Sequence, residues 1–395
     1  MRYSRRYHRS SGGNEADRRE RNDVVKILIV EPYLAGSHAA WAREYSAVSS
    51  HEVGILGLPG RHWKWRMHGG AVTLARRFIE EGHRPDLILA TDMLDLATFL
   101  TLIRRNAPGV PAAMYFHENQ LSYPWSTQDP DPDLGRDAHY GFINFTSALA
   151  ADAVLFNSAY HRESFLGALP EFLEQFPDHN ERESVEAIAA KSSVLPLGID
   201  LAGLDVYRTK REEALPLILW NHRWEYDKDP DEFFRALFTL ADNGLSFEAA
   251  VLGESFEKYP PIFDEARERL GRRIVQFGYA EDLADYARWL WRADILPVTS
   301  DHDFFGASAV QAMYCGCRPL LPRRLVFPWH IPPELHGECL YDDFDDLVDH
   351  LRAQLREPRT SAPAGLREHV ARYDWGMMAE EYDRILAGIR VADTG

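Results

Sequence analysis

The sequence predicts an α/β fold made of two doubly wound parallel-sheet units that face a common cleft. Short apolar runs alternate with segments of helical periodicity, the signature of parallel strands joined by crossover helices. That pattern runs from Val24 to Gly198 and then starts again at Pro216. The chain has 395 residues, enough for two such units with a core each.

In the first unit, Val24 to Pro32 reads VVKILIVEP, an apolar run ended by proline and read as a buried strand. A glycine turn at Gly36 then opens a helix. HEVGILGLP (51–59) is the next strand, followed by a helix ending near Gly82. DLILAT (Asp86 to Thr91) is a strand, a helix runs through Arg105, and PAAMYFHEN begins a strand at Pro111. A long polar loop precedes a helix from about His139 to Ala151, and DAVLFNS and SSVLPLG supply two more strands.

The second unit repeats the scheme. PLILW (Pro216 to Trp220) is a strand and Asp229 to Asn243 a helix. Phe247 to Glu254, Arg273 to Ala280, Ala293 to Ser300, Gly316 to Pro322 and Gly337 to Asp343 are further strands. The polar stretch Thr209 to Ala214 is the expected hinge, and Tyr373 to Val391 a final helix able to pack back on the first unit. The expected divisions are a basic tail at 1–23, units at 24–208 and 209–370, and the end helix at 371–395.

Composition narrows the function. Apolar residues are 45% and charged residues 27%, an ordinary globular balance. Net charge is −17, and the first 23 residues hold seven Arg against four acids, so the remainder carries 37 cations against 57 acids, a net of −20. So acidic a body is a poor general binder of nucleic acid, although a local basic groove is compatible with it. Three cysteines, Cys315, Cys317 and Cys339, are too few and too clustered for a disulfide framework, and no second pair completes a zinc set. They read as buried thiols in a reducing compartment. The most apolar stretch, Leu87 to Ile103, is broken by Asp92 and Asp95 and predicts no membrane span. The Arg-rich start lacks the apolar core of a secretory signal and reads as a disordered tail.

Ligands of doubly wound sheets sit at the carboxyl ends of the strands. Four groups of residues fall there. Gly36 and Ser37 open a helix whose backbone N–H groups can meet an anion, although turn glycines are common. Tyr115 to Pro124 (YFHENQLSYP) places His117, Glu118 and Asn119 just after a strand; a capped loop with a satisfied histidine is the plain alternative. Trp220 to Pro230 (WNHRWEYDKDP) carries Arg223 and Lys228, a fork and a point charge suited to a diphosphate, unless surface acids (Glu225, Asp227, Asp229) take them up. Thr299 to Pro322 carries Asp303, the turn Phe304, Phe305 and Gly306, and a helix bearing Gln311 eight residues after Asp303.

The order of glycine loop, Arg–Lys pair and acid-FFG helix resembles the retaining glycosyltransferases of family 4, whose fold is GT-B, two Rossmann-like domains about a cleft. The strings EPYLAGSHAAWA, FHENQLSYP, ILWNHRWEYDKDP and HDFFGASAVQAMYCGCRPLLPRRLVFP resemble the tRNA-queuosine α-mannosyltransferase branch. The resemblance spans roughly Val24 to Asp343. It implies an acceptor-side first domain and a nucleotide-sugar-binding second domain. Arg223 and Lys228 would bind the donor diphosphate, Gly36 would bring an amide to it, and His117 would contact the sugar. Asp303 with Phe304–Gly306 would line the sugar site and Gln311 would hold the ribose. Glu118, Asn119 and Ser37 would complete the donor site.

It further implies metal-independent transfer with retention, with GDP-mannose as co-substrate, no cofactor, tRNA carrying queuosine as acceptor, and a cytoplasmic setting without membrane contact. Asp303 and Gln311 stand where the family usually has glutamates. The aspartate is shorter by ~1.5 Å, about one C–C bond. The glutamine lacks a charge worth on the order of 1 kcal/mol in a ribose hydrogen bond. For the acceptor, RHWKWR (Arg61 to Arg66) mixes cations with Trp and nominates Lys64, Trp65 and Arg66, with Tyr123 nearby, for stacking on unpaired bases. The tail's RRYHR and the Arg pair of PRRLVFP are further basic candidates. A small-molecule or glycan acceptor, or a catalytically silent binding protein, are the alternatives.

Overall fold

Alternate residues of the first strand enter two different cores, so both faces of the sheet are covered. Ile27 and Ile29 join one cluster, Leu28 and Val30 another, and all four are buried. Each such side chain contributes about 1.5–3 kcal/mol of burial. The computed structural model describes residues 24–126, 129–134, 138–209, 215–254, 259–356 and 362–390. The expected tail lies outside these, as does the expected hinge apart from Thr209.

The first sheet contains β1 (Lys26–Leu34), β2 (Glu52–Pro59), β3 (Leu87–Thr91), β4 (Ala112–Phe116), β5 (Ala153–Phe156) and β6 (Ser192–Val194) in the order β2-β1-β3-β4-β5-β6. Every pairing is parallel. The second contains β7 (Leu217–Trp220), β8 (Glu248–Val251), β9 (Ile274–Phe277), β10 (Ile295–Pro297), β11 (Arg318–Pro322) and β12 (Leu340–Tyr341) in the order β12-β11-β10-β7-β8-β9, also all parallel. Strand order therefore reverses between β1 and β3 in one sheet and between β7 and β10 in the other. Those are the crevices where such sheets hold ligands. The two-unit architecture read from the sequence is present.

Two helices, Ala159–Glu174 and Glu183–Ala190, fill the segment between β5 and β6 that the sequence reading left unassigned. Pro170 inside the first of them disguises its periodicity. Gly337 to Cys339, expected in a strand, belong to a short helix, His336–Cys339, and only Leu340–Tyr341 pair. The three cysteines are buried, and burial pushes the Cys339 thiol up to about 12.

The helix Trp375–Gly388 packs against the first half. Its Asp383 accepts hydrogen bonds from Tyr45 Oη (2.9 Å), Ser49 Oγ (2.6 Å), Ser50 N (2.7 Å) and Ser50 Oγ (2.7 Å). The Tyr382 hydroxyl lies 2.9 Å from that of Tyr115 and accepts from Trp41 Nε1 at 3.1 Å. Leu217 and Leu219 of β7 belong to the same buried cluster as Ile27 and Ile29, so one core runs through both halves. Among the described residues no helix is long and apolar enough to cross a membrane.

Candidate active site

The carboxyl ends of the two sheets meet. Tyr123 Oη, in the loop after β4, approaches Asp227 Oδ2 of the second half at 3.4 Å, and Tyr226 Oη donates to Pro124 O at 2.8 Å. Ser158 Oγ donates to Phe304 O at 2.6 Å, and the His161 ring stacks on Phe304 with centroids 3.8 Å apart. The seam brings together the segments following β4, β5, β7 and β10.

From β7 comes a turn holding Arg223 and Lys228. Lys228 is buried; its Nζ donates to His302 O (2.8 Å) and lies 3.1 Å from Asp303 Oδ2 and 3.0 Å from Asp227 Oδ2. Burial alone would lower its pKa, but the two carboxylates outweigh that and raise it. Asp303 is held below the usual carboxylate range: burial pushes it up, and Lys228 more than compensates. Arg223 is half-exposed, its side chain 48% accessible, and among the described residues its ion partner is Glu225, at 3.1 Å. It faces Tyr123 and Glu118 of the first half, whose negative or polar groups bear on its charge, and it acts in turn on Tyr33. The pairing alternative thus holds for two of its three acids: Glu225 takes Arg223 and Asp227 takes Lys228, the latter pair buried and not on the surface, while Asp229 caps the helix Pro230–Asp242 by accepting from Glu232 N at 3.0 Å.

After β1, Gly36 starts the helix Gly36–Val48 at φ +51°, which glycine adopts without strain. A Cβ there would meet nothing within 4 Å, and Ala35 at the cap supplies no side-chain hydrogen bond, so among the described residues the first N–H groups carry no side-chain cap. His117 sits after β4 with its N–H on Asp92 Oδ1 (2.8 Å) and its O accepting from Asn157 Nδ2 (2.9 Å). Its ring packs on Trp41, Tyr115 and His38, with centroids 4.7, 4.9 and 4.3 Å away. Nε2 is buried with no hydrogen-bond partner among the described residues. Burial, then the charges of His38 and His161, hold this imidazole well below its usual pKa.

Several expected ligands also make contacts within the fold. Asn119 is fully buried and its Oδ1 accepts from Leu121 N (3.1 Å) and Ser122 N (3.0 Å), so it fixes the loop instead of facing the cleft. The side chains of Phe304 and Phe305 are buried, Phe304 on His161 and Phe305 against His330 and Tyr373, leaving only backbone to line a sugar site. Gly306 caps the helix Ala307–Tyr314 in the left-handed region, φ +73°. Gln311 Oε1 accepts from Tyr286 Oη at 3.0 Å. Glu118 Oε1 accepts from Gln120 Nε2 at 3.1 Å.

Of the acceptor candidates, Lys64 is spent internally. Its Nζ bridges Asp129 and Asp131 at 2.6 and 2.5 Å and lies over the rings of Trp63 and Trp125. Trp65 is 64% exposed, and Arg66 Nε donates to Pro59 O at 3.2 Å. These residues open the helix Trp63–Glu80. Tyr123 lies in the seam against His302, centroids 4.5 Å apart, and not on an open face.

Sequence reasoning missed Glu31, His38, Asp92 and His161. Glu31 and Asp92 stand at the ends of β1 and β3 where the order reverses, the signal that could have found them. Among the described residues, Glu31, His38 and His117 bring ligand-type atoms within 4.8 Å of one another. Glu31 Oε2 and His38 Nδ1 are joined at 2.9 Å, and an imidazolium has no lone pair for a metal; the group reads as an ion pair.

Residues 26–199 match the family described as tRNA-queuosine alpha-mannosyltransferase N-terminal. The chain is 34% identical to the tRNA-queuosine alpha-mannosyltransferase of Drosophila melanogaster over 84% of this chain and 88% of that one. It is 25% identical to a GDP-mannose-dependent alpha-(1-6)-phosphatidylinositol dimannoside mannosyltransferase of Mycobacterium tuberculosis, over 80% of this chain and 78% of the other. The sucrose-phosphate synthase of Thermosynechococcus elongatus has the same fold, with a TM-score of 0.67 at 14% identity over 91% of this chain and 98% of that one. Anabaena HepE in complex with UDP superposes with a TM-score of 0.64 at 15% identity, covering 92% and 99% of the two chains. The chain is a glycosyltransferase of GT-B fold and belongs to the tRNA-queuosine alpha-mannosyltransferase family.

Proposed function

We propose that this chain is a retaining, metal-independent mannosyltransferase that moves mannose from GDP-mannose to queuosine in a tRNA anticodon loop. One observation carries the reading: Arg223 and Lys228 stand at the switch point of the second sheet, and Arg223 interacts electrostatically with Tyr33 and Glu118 of the first half across the seam. The donor diphosphate would lie between these cations and the N–H groups at Gly36. The bond from the sugar C1 to the phosphate oxygen breaks, the bond from C1 to the acceptor oxygen forms on the same face, and the acceptor hydroxyl proton passes to the leaving phosphate. Preorganised cations stabilise that developing charge, and each such donor is worth about 10²–10³ in rate. Neutral His117 would hydrogen-bond the sugar, and Asp303, oriented by Lys228, would face it. Gln311 would reach the ribose on leaving Tyr286. The nucleotide sugar is a co-substrate, and no resident cofactor is required.

The tRNA acceptor rests on family membership, and the cytoplasm is the setting it implies. A smaller acceptor is the second reading, favoured by the loss of Lys64 to two aspartates and by the body's negative charge. A panel of nucleotide sugars, offered with and without queuosine-containing tRNA, tests both. Nucleotide release that depends on the RNA, with one hexose added to its mass, supports the first reading. Transfer that ignores the RNA supports the second. No turnover of any donor contradicts both.

A further inference from the structure

We propose that Glu31 is a positioning residue that fixes His38 as an additional anion-binding side chain, supplied by the half opposite Arg223 and Lys228 and serving the donor diphosphate. The inference rests on the donor site proposed above. Glu31 is buried and bidentate in use: Oε1 accepts from Tyr33 N at 2.7 Å, and Oε2 meets His38 Nδ1 at 2.9 Å. That leaves the opposite ring nitrogen, Nε2, as the donor His38 can offer a ligand. His38 is the third residue of the helix whose uncapped N–H groups begin at Gly36. Beside it, 4.3 Å between centroids, lies His117 with its buried and unpartnered Nε2. A helix N-terminus without a side-chain cap and an unsatisfied buried nitrogen thus border the same imidazole.

The two rings divide the labour by charge. Burial disfavours the charged form of His38, but Glu31 outweighs it by charge and hydrogen bond. Asp92 and Glu118 add to this, and the imidazole is held at about 9. That cation in turn helps keep His117 neutral. Adjacent groups driven apart in this way commonly hold different roles at one site. Here the charged ring suits phosphate and the neutral ring a sugar hydroxyl.

The test is calorimetric titration of GDP, with UDP in parallel, into the full-length protein and its Glu31→Gln variant at pH 6 and pH 8, without acceptor. Once the carboxylate is gone, His38 returns toward its ordinary pKa near 6.5 and is neutral at pH 8. Affinity of Glu31→Gln should fall about tenfold at pH 8 and less than about threefold at pH 6, the scale of one charge-assisted hydrogen bond. An equal loss at both pH values, or none, overturns the proposal. If Glu31→Gln does not fold, His38→Gln serves: it should weaken nucleotide binding about tenfold at both pH values and erase the fall in affinity that the parent shows above about pH 9. An unchanged affinity in His38→Gln likewise overturns it. Arg223→Ala is titrated alongside. If it weakens GDP binding while Glu31→Gln does not, only this inference fails. If neither variant, nor the parent, shows nucleotide binding that depends on these residues, the donor site itself is wrong.

Discussion

Lys228 Nζ lies 3.1 Å from Asp303 Oδ2, and the two residues are delivered by β7 and β10, the neighbours between which the second sheet reverses its order. Lys228 is buried and Asp303 partly so, and a third group, the buried Asp227, closes on the same ammonium at 3.0 Å. Lys228→Met therefore does two things. It removes a charge from the reaction, lowering kcat by about 10²–10³. It also leaves two carboxylates facing each other, a loss of about 3–5 kcal/mol. Nucleotide release and denaturant unfolding measure the two effects.

Arg223→Ala separates them. The side chain is half-exposed and among the described residues its ion pair is with Glu225 at 3.1 Å, so stability should change by no more than about 0.5 kcal/mol. Donor KM should nevertheless rise about 10- to 100-fold, because a charged hydrogen-bonding fork to phosphate is lost. Steady-state kinetics with a thermal unfolding control checks this. A variant that unfolds early with an unchanged KM would assign Arg223 to structure.

The C-terminal helix has its own anchor. Asp383 accepts four hydrogen bonds from Tyr45, Ser49 and Ser50. Burial pushes its pKa up, but these donors win and hold it low. A carboxylate depressed in the fold stabilises above its unfolded pKa near 4, and that contribution is lost as pH falls through the lower folded value. Asp383→Ala should cost about 2–4 kcal/mol at neutral pH, since it strands buried donors. Its deficit relative to the parent should shrink below about pH 4, as followed by urea unfolding across pH.

Histidine burial predicts an acid limb. His222, His302 and His330 are lowered to about 4, burial being the main cause in each. Their unfolded forms bind protons below about 6.5 while the folded ones do not, so between about 6.5 and 4 stability falls with pH by up to about 1.4 kcal/mol per unit per residue. His38 runs the other way. Raised to about 9, it contributes stability fully present below about 6.5 and lost as pH rises through 9. Unfolding midpoints from pH 4 to 10 should trace a maximum between the two limbs. A flat profile contradicts these assignments.

Much of this was legible in the chain, and the residues show why the rest was not. Parallel strands buried on both faces are continuous apolar runs, so β1, β3, β4 and β7 declare themselves. Polar residues just past their ends mark the cleft, which gave Gly36, His117, Arg223, Lys228 and Asp303. What a short window cannot show is partnership across the fold. Tyr123 meets Asp227 from 104 positions away, and Ser158 meets Phe304 from 146. Nor does a polar letter say which way it points. Asn119 turned inward to hold its own loop, and Lys64 was claimed by Asp129 and Asp131, two acids in the polar loop after β4.

The most direct measurement is a crystal structure of the protein with GDP. The account predicts the diphosphate between the backbone N–H at Gly36 and the side chains of Arg223 and Lys228, with the sugar side open toward His117 and Asp303. A nucleotide bound elsewhere, with Arg223 still on Glu225 and no phosphate within reach of Gly36, would contradict it.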